Sequence, residues 1–228
     1  MDPNLYSAAH GGKLEEVRRL IGSGATVNYA EPTVGCTSLY VASANGHKDV
    51  AELLLRNGAK VDQATTNIGC TSLYIASENG HKDVAELLLR HGAKVDQATT
   101  DIGCTSLHVA SEKGHKDVAE VLLRNGAKVD QATTDTGATS LHIASQNGHK
   151  DVAEVLLRHG AKVDQALTDI GATPLMIAAS QGRVEVAEVL LKHGAKLELR
   201  DSSGETALDW ARQSGKTDVM RVLTYDAS

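Results

Sequence analysis

Apolar and polar positions recur along this chain with a period of 34 residues. In residues 69–102, Thr71 precedes a short apolar stretch, Leu73, Ile75 and Ala76. Its hydroxyl is suited to accept an N–H bond at a helix start. Gly80 follows at the place where a left-handed backbone closes a helix. Val84, Ala85, Leu88 and Leu89 then recur at helical spacing, and Gly92 ends that second helix. Ala93-Lys94-Val95-Asp96 reads as a short extended piece. The run to Gly103, rich in Thr, Asp and Gly, reads as a hairpin tip. Each period is therefore predicted as helix, turn, helix, hairpin.

The repeat itself decides the fold class. Gly35, Gly69, Gly103, Gly137 and Gly171 are 34 residues apart, and Gly204 follows after 33. Leu5, Leu39, Leu73, Leu107, Leu141, Leu175 and Leu208 keep the same beat. Residues 35–68 and 69–102 differ at four positions only: Val41/Ile75, Ala44/Glu78, Asn57/His91 and Asn67/Asp101. Such self-similarity marks a stacked array. Its repeats are 1–34, 35–68, 69–102, 103–136, 137–170, 171–203 and 204–228, forming a single domain. Neither helix of a repeat buries its apolar side alone, so stacking must build one continuous core of Leu, Val and Ala. The expected fold is an all-α repeat solenoid, curved, of helix-turn-helix units joined by β-hairpin-like fingers. The end repeats carry polar replacements. Glu16 stands where Val50 and Val84 stand, Arg19 replaces Leu53, Thr224 replaces the second Leu of the Leu-Leu pair, and Tyr225 and Asp226 follow. Capping repeats and a complete array are expected from these. Recent duplication and deliberate design are equally compatible with such uniformity.

Composition narrows the function. Apolar residues make up 41% of the 228, which excludes a disordered chain. Aromatics are 3% and Phe is absent, so small Ala side chains must let the helices approach closely. A formal charge of −6 argues against nucleic acid. No apolar run is long enough to span a membrane. The start, Met1-Asp2-Pro3-Asn4, lacks the pattern of a secretory signal. Three cysteines, an odd count, fit a reducing compartment, so an intracellular location, cytoplasmic or nuclear, is expected.

Candidate chemistry gives way to structural readings. His47, His81, His115 and His149 form a ladder, but neighbouring repeats should sit about 10 Å apart. Zinc requires its nitrogens within about 2.1 Å of the ion. The same spacing keeps Cys36, Cys70 and Cys104 out of disulfides, which need Cα atoms within about 7 Å. Lys82, Glu86 and Arg90, like Lys116, Glu120 and Arg124, mix both signs on an outer helix face. That mixture disfavours a basic stripe. Gly11-Gly12-Lys13 lacks the rest of a phosphate loop. Trp210 falls among apolar positions and is expected in the core. No catalytic set, cofactor or metal site is proposed.

Thr-Ser-Leu-Tyr/His-x-Ala-Ser, then Gly-His, then Leu-Leu-x-x-Gly-Ala resembles the ankyrin repeat, over essentially the whole chain. That family begins its repeat T-P-L-H-x-A-A. Here Ser38, Ser72, Ser106 and Ser140 replace the Pro, which Pro174 keeps. Thr66, Thr100, Thr134 and Thr168 stand three residues before the repeat glycine, where the family has the Asp that Asp201 supplies. The finger is one residue longer than in the family's 33-residue unit. The resemblance implies that Gly-His is a hydrogen-bonding element at the inter-helix turn. It also implies that finger tips and first helices line a concave groove for partners.

The positions that vary among the central repeats map there by resemblance. They are Asn67, Ile68, Asp101, Ile102, Asp135, Thr136, Asp169 and Ile170 at the tips, Tyr74, His108 and His142 at the first-helix start, and Glu78, Asn79, Glu112, Lys113, Gln146 and Asn147 at its end. Drift at solvated sites is the competing reading, but apolar tips in a row are poor solvent-facing choices. The leading expectation is a non-enzymatic, monomeric protein-interaction module. Its partner would be a protein or peptide segment with apolar anchors and basic residues. Two alternatives differ in class. One is a substrate of an Asn/Asp hydroxylase, which the resemblance implies for Asn28 in Val27-Asn28. The other is a designed or passive stack without a cognate partner.

Overall fold

A computed structural model describes residues 3–225, so Asp226 of the last repeat lies outside the described residues. Fourteen helices run as seven pairs among them: α1 (Pro3–His10) with α2 (Leu14–Gly22), α3 (Ser38–Ala44) with α4 (Lys48–Arg56), α5 (Ser72–Glu78) with α6 (Lys82–Arg90), α7 (Ser106–Lys113) with α8 (Lys116–Arg124), α9 (Ser140–Asn147) with α10 (Lys150–Arg158), α11 (Pro174–Gln181) with α12 (Val184–Lys192), and α13 (Ala207–Gln213) with α14 (Thr217–Tyr225). The chain divides into two compact bodies. Among the described residues the N-terminal body holds 3–110 and 120–127, and the C-terminal body holds 111–119 and 128–225.

Within each body like packs on like. In the first, α1 lies on α3 and α3 on α5, with α2 on α4 and α4 on α6. In the second, α9 lies on α11 and α11 on α13, with α10 on α12 and α12 on α14. The recurring Leu of the first helices forms the core, each at most 2% exposed from Leu5 to Leu175. Val84, Ala85 and Leu88 of α6 join it, Leu88 at 0%. Ala42, Ala76, Ala110, Ala144 and Ala178 are also fully enclosed, so close helix approach replaces the missing Phe.

The first helices start as the threonines dictate. Thr37 and Thr71 sit in extended backbone, and each hydroxyl accepts the N–H three residues on, from Tyr40 at 3.1 Å and Tyr74 at 3.2 Å. The inter-helix turn then carries the frame from repeat to repeat. The rings of His47, His81 and His149 reach back to the carbonyls of His10, Ala44 and Glu112, at 3.0, 3.0 and 2.8 Å. Arg183 does the same to Gln146, at 3.0 Å. The ring explains its glycine partner: a Cβ on Gly46, whose φ is +71°, would fall 2.7 Å from His81. The structural reading of the His ladder therefore holds for these three rings.

The fingers depart from expectation. Val95-Asp96 forms a turn, not an extended piece, and no strand forms among the described residues. A single isolated bridge joins Ala30 and Thr37. Hairpin closure rests on one or two backbone bonds per finger, such as Thr65 to Cys70 at 2.9 Å and Thr99 to Cys104 at 2.8 Å, with Gly171 to Leu167 at 3.1 Å beside Leu167 to Ala172 at 2.9 Å. Fingers are also linked in series, since Thr66 donates to the Val34 carbonyl, Thr100 to Ile68, Thr168 to Thr136 and Ser202 to Ile170.

The residue doing the work of the family's Asp lies one position earlier than the sequence suggested. Asp201 accepts the Glu205 N–H at 2.8 Å. The buried Thr65, Thr99 and Thr133 accept the corresponding N–H of Cys70, Cys104 and Ala138, at 2.9–3.0 Å. Thr66, Thr100 and Thr134 are exposed instead. The extra finger residue is inserted after this position, which shifts the count from the glycine. Trp210 is a second correction. It is only half-buried, and its indole N–H donates to Asp201 at 2.8 Å, bracing the last finger.

Candidate functional site

Finger tips and first helices present the variable positions, and burial sorts them. In the N-terminal body Ile68 and Ile102 are 37% and 39% exposed at successive tips; in the C-terminal body Ile170 is 44% exposed. No other large apolar side chains are exposed among the described residues. Asn67, Asp135 and Asp169 lie beside the tip residues. Asn67 and Asp169 each accept the following backbone N–H at 2.7 Å, an Asx clamp that shapes the tip. Hydrogen bonds from Thr133, then from the Thr136 backbone, hold the Asp135 carboxyl below its usual range. Asp101 is exposed at the tip between Thr100 and Ile102.

On the first helices, Tyr74 and Glu78 are partly exposed, and Glu112, Lys113, Gln146 and Asn147 are exposed. Lys113 pairs with Glu112 at 2.8 Å. Asn79 is exposed but spends its amide on the Ala44 carbonyl at 2.9 Å, so part of its role is in the frame.

His108 and His142 do not belong on this face. Both are 1% exposed. Each ring nitrogen Nδ1 accepts the backbone N–H of the capping threonine, Thr105 at 3.0 Å and Thr139 at 3.2 Å. A side chain enclosed in this way has no surface to offer a partner. Burial pushes the His142 ring down to about 4, while the nearby carbonyls of Ala172 and Gln165 act in the opposite sense. Met176 fills the same position at 1% exposure.

The sequence reading named Tyr74 but missed its partners. Tyr6, Tyr40 and Tyr74 occupy one position on α1, α3 and α5, and all three are partly exposed. Their 34-residue spacing was the available signal. Tyr40 shares the central-repeat column of Tyr74, His108 and His142, whereas Tyr6 lies in the first repeat, outside the central ones. Around them lie Cys36, Cys70, Glu31 and Glu78. Burial, then the neighbouring Cys70, Cys36 and Glu78, raises the Tyr40 hydroxyl. Burial, with Glu78 and Asp101 nearby, raises the Cys70 thiol to about 11. That thiol is therefore protonated and inert at neutral pH. Cys36, Cys70 and Cys104 are joined in no disulfide.

Asn28 sits at a finger base. Its amide donates to the Gly58 carbonyl at 2.9 Å, and its carbonyl accepts the Lys60 N–H at 2.8 Å. Asp62, Asp130 and Asp164 accept the matching lysine N–H in later repeats. Asn28 thus serves the frame as those acids do. Among the described residues no cluster of three or more His, Cys, Asp or Glu converges as a metal site. No helix there is long and apolar enough to cross a membrane.

The repeat frame defines the class, and comparison with known proteins gives it a family. The model for ankyrin repeats in three copies matches residues 5–99, 96–166 and 164–228. The chain belongs to the ankyrin-repeat family. Among solved structures it is similar to the human ASB11 ankyrin repeat domain, with 33% identity and a TM-score of 0.87, covering 98% of this chain and 97% of that one. No match was found among curated proteins. Ankyrin repeats are generally protein-protein interaction modules.

Proposed function

We propose that this chain is a non-catalytic interaction module, acting as a monomer, that binds a partner protein or peptide segment on its finger tips and first helices. The observation that carries this reading is the set of exposed isoleucines at the tips. Nothing in the repeat frame requires a branched apolar side chain there, because the tip contributes its backbone carbonyl to the next finger. The Thr136 carbonyl accepts the Thr168 N–H in the same way without an apolar side chain. Apolar anchors that lose water on docking supply most of the affinity at such surfaces. Asp101, Asp135, Asp169, Glu78 and Glu112 beside them suit a partner with basic residues, acting on association rate and selectivity. Three thiols outside any disulfide suit a reducing cytoplasm or nucleus.

The test uses a partner recovered by an interaction screen on the whole chain. Ile102→Arg with Asp101→Arg should abolish binding and leave circular dichroism unchanged. Glu86→Arg with Glu120→Arg, on the outer helices, should leave binding intact. Loss with the outer pair alone would refute the assignment.

A further inference from the structure

The tyrosine ladder of the N-terminal body is not required by the frame. At the same helix position His108, His142 and Met176 are enclosed, and Asp209 caps its own helix by accepting the Thr206 N–H at 3.0 Å. Each of these folds the repeat, so the frame tolerates four chemistries there. Only tyrosine leaves a ring partly in solvent, and it does so in three consecutive repeats. The rings stand on α1, α3 and α5, which pack in that order.

Their surroundings are acidic. Glu31 lies near Tyr6, and Glu78 near Tyr40. Backbone N–H groups of Val34 and Thr33 bind the Glu31 carboxylate, at 2.6 and 2.9 Å, and hold it below its usual range. The fixed charge here is negative, and the ring faces carry negative quadrupole potential. Both attract a cation, and a guanidinium stacks on such rings while bonding a carboxylate.

We propose that Tyr6, Tyr40 and Tyr74, with Glu31, Glu78 and Asp101, form a subsite for an extended peptide segment carrying arginines at every third residue. This rests on the finger and first-helix reading above and names the partner chemistry of its N-terminal part. The register follows from geometry. Packed helices are about 10 Å apart, and a chain extended as polyproline II has three residues per turn and advances about 3.1 Å per residue, so every third side chain returns to the same face about once per repeat. Ile68 and Ile102 then receive the apolar residues between the arginines.

The probe is the nonapeptide Arg-Ser-Leu-Arg-Ser-Leu-Arg-Ser-Leu, titrated calorimetrically into the whole protein at about 150 mM salt. Its comparators are a peptide of identical composition with the arginines contiguous and one with lysine for arginine. Saturable binding is expected, at least fivefold tighter than either comparator. Tyr40→His with Tyr74→His introduces the residue that two other repeats already enclose, so the fold should survive, as a thermal melt checks. That variant should bind the registered peptide at least fivefold more weakly. Equal binding of the contiguous peptide, no effect of the tyrosine variant, or no saturable binding would overturn the proposal. Ile68→Ser with Ile102→Ser separates the layers. If it weakens binding while the tyrosine variant does not, the ladder fails and the wider face stands. If neither matters and Glu86→Arg with Glu120→Arg does, the face itself fails.

Discussion

The N-terminal and C-terminal bodies share one frame and differ in what they place on its first helices. In both, a Leu column is buried, threonines open the helices and a His or Arg binds the preceding repeat's carbonyl. At the first-helix start, however, the N-terminal body places Tyr6, Tyr40 and Tyr74 in partial contact with solvent and encloses His108 alone. The C-terminal body encloses His142 and Met176. The cause is chemical. An imidazole nitrogen reaches the threonine N–H and rewards burial, whereas a phenol ring has no acceptor at that reach. One substitution per repeat therefore moves a side chain from frame to face while the backbone repeats unchanged.

The largest expected effect tests the shared frame. Leu88 and Leu156 are both 0% exposed, one in each body. Leu88→Ala and Leu156→Ala should each cost about 2–5 kcal/mol in denaturant unfolding. Unchanged midpoints for either would break the equivalence of the two cores.

Acid should act on the C-terminal body through His142. Its ring is lowered from 6.5 to about 4 in the folded chain. Between those values the unfolded chain binds more protons. The stabilisation is thus complete above about pH 6.5 and is lost as pH falls toward 4, by about 3 kcal/mol. His142→Tyr, the residue that the third repeat carries as Tyr74, should flatten that part of the pH profile. A profile identical to the parent's would contradict the buried, neutral ring.

A smaller effect belongs to the fingers. Thr99→Val and Thr133→Val remove the hydroxyl that accepts the Cys104 or Ala138 N–H, one in each body. Each should cost about 1 kcal/mol. Thr100→Val, one position along, should cost less, because Thr100 is exposed. A reversed order in thermal melts would undo the reassignment of the finger acceptor.

Much of this was legible in the sequence. Leu88 in the core and Gly80 after the helix end follow from period and residue type, because a repeat presents each environment several times over, and the His81 turn contact follows from the resemblance to the ankyrin repeat. What was not legible depended on departures from the period. The extra finger residue moved the acceptor from the Thr66 column to Thr65. Val95-Asp96 looked extended from its branched residue but closes a turn, with the Gln97 N–H on the Lys94 carbonyl at 3.1 Å. His108 and His142 looked like surface because they vary, yet they vary against tyrosine across a boundary between enclosed and exposed. Variation alone does not tell a face from two ways of filling a frame.

The central claim is that tips and first helices meet the partner while the outer helices do not. Carboxylate footprinting of the partner-bound chain, read residue by residue by mass spectrometry, tests it most directly. Glu78 and Asp101 should be protected on binding, with Glu86 and Glu120 labelled as in the unbound chain. Protection of Glu86 and Glu120 with Glu78 and Asp101 unchanged would contradict it.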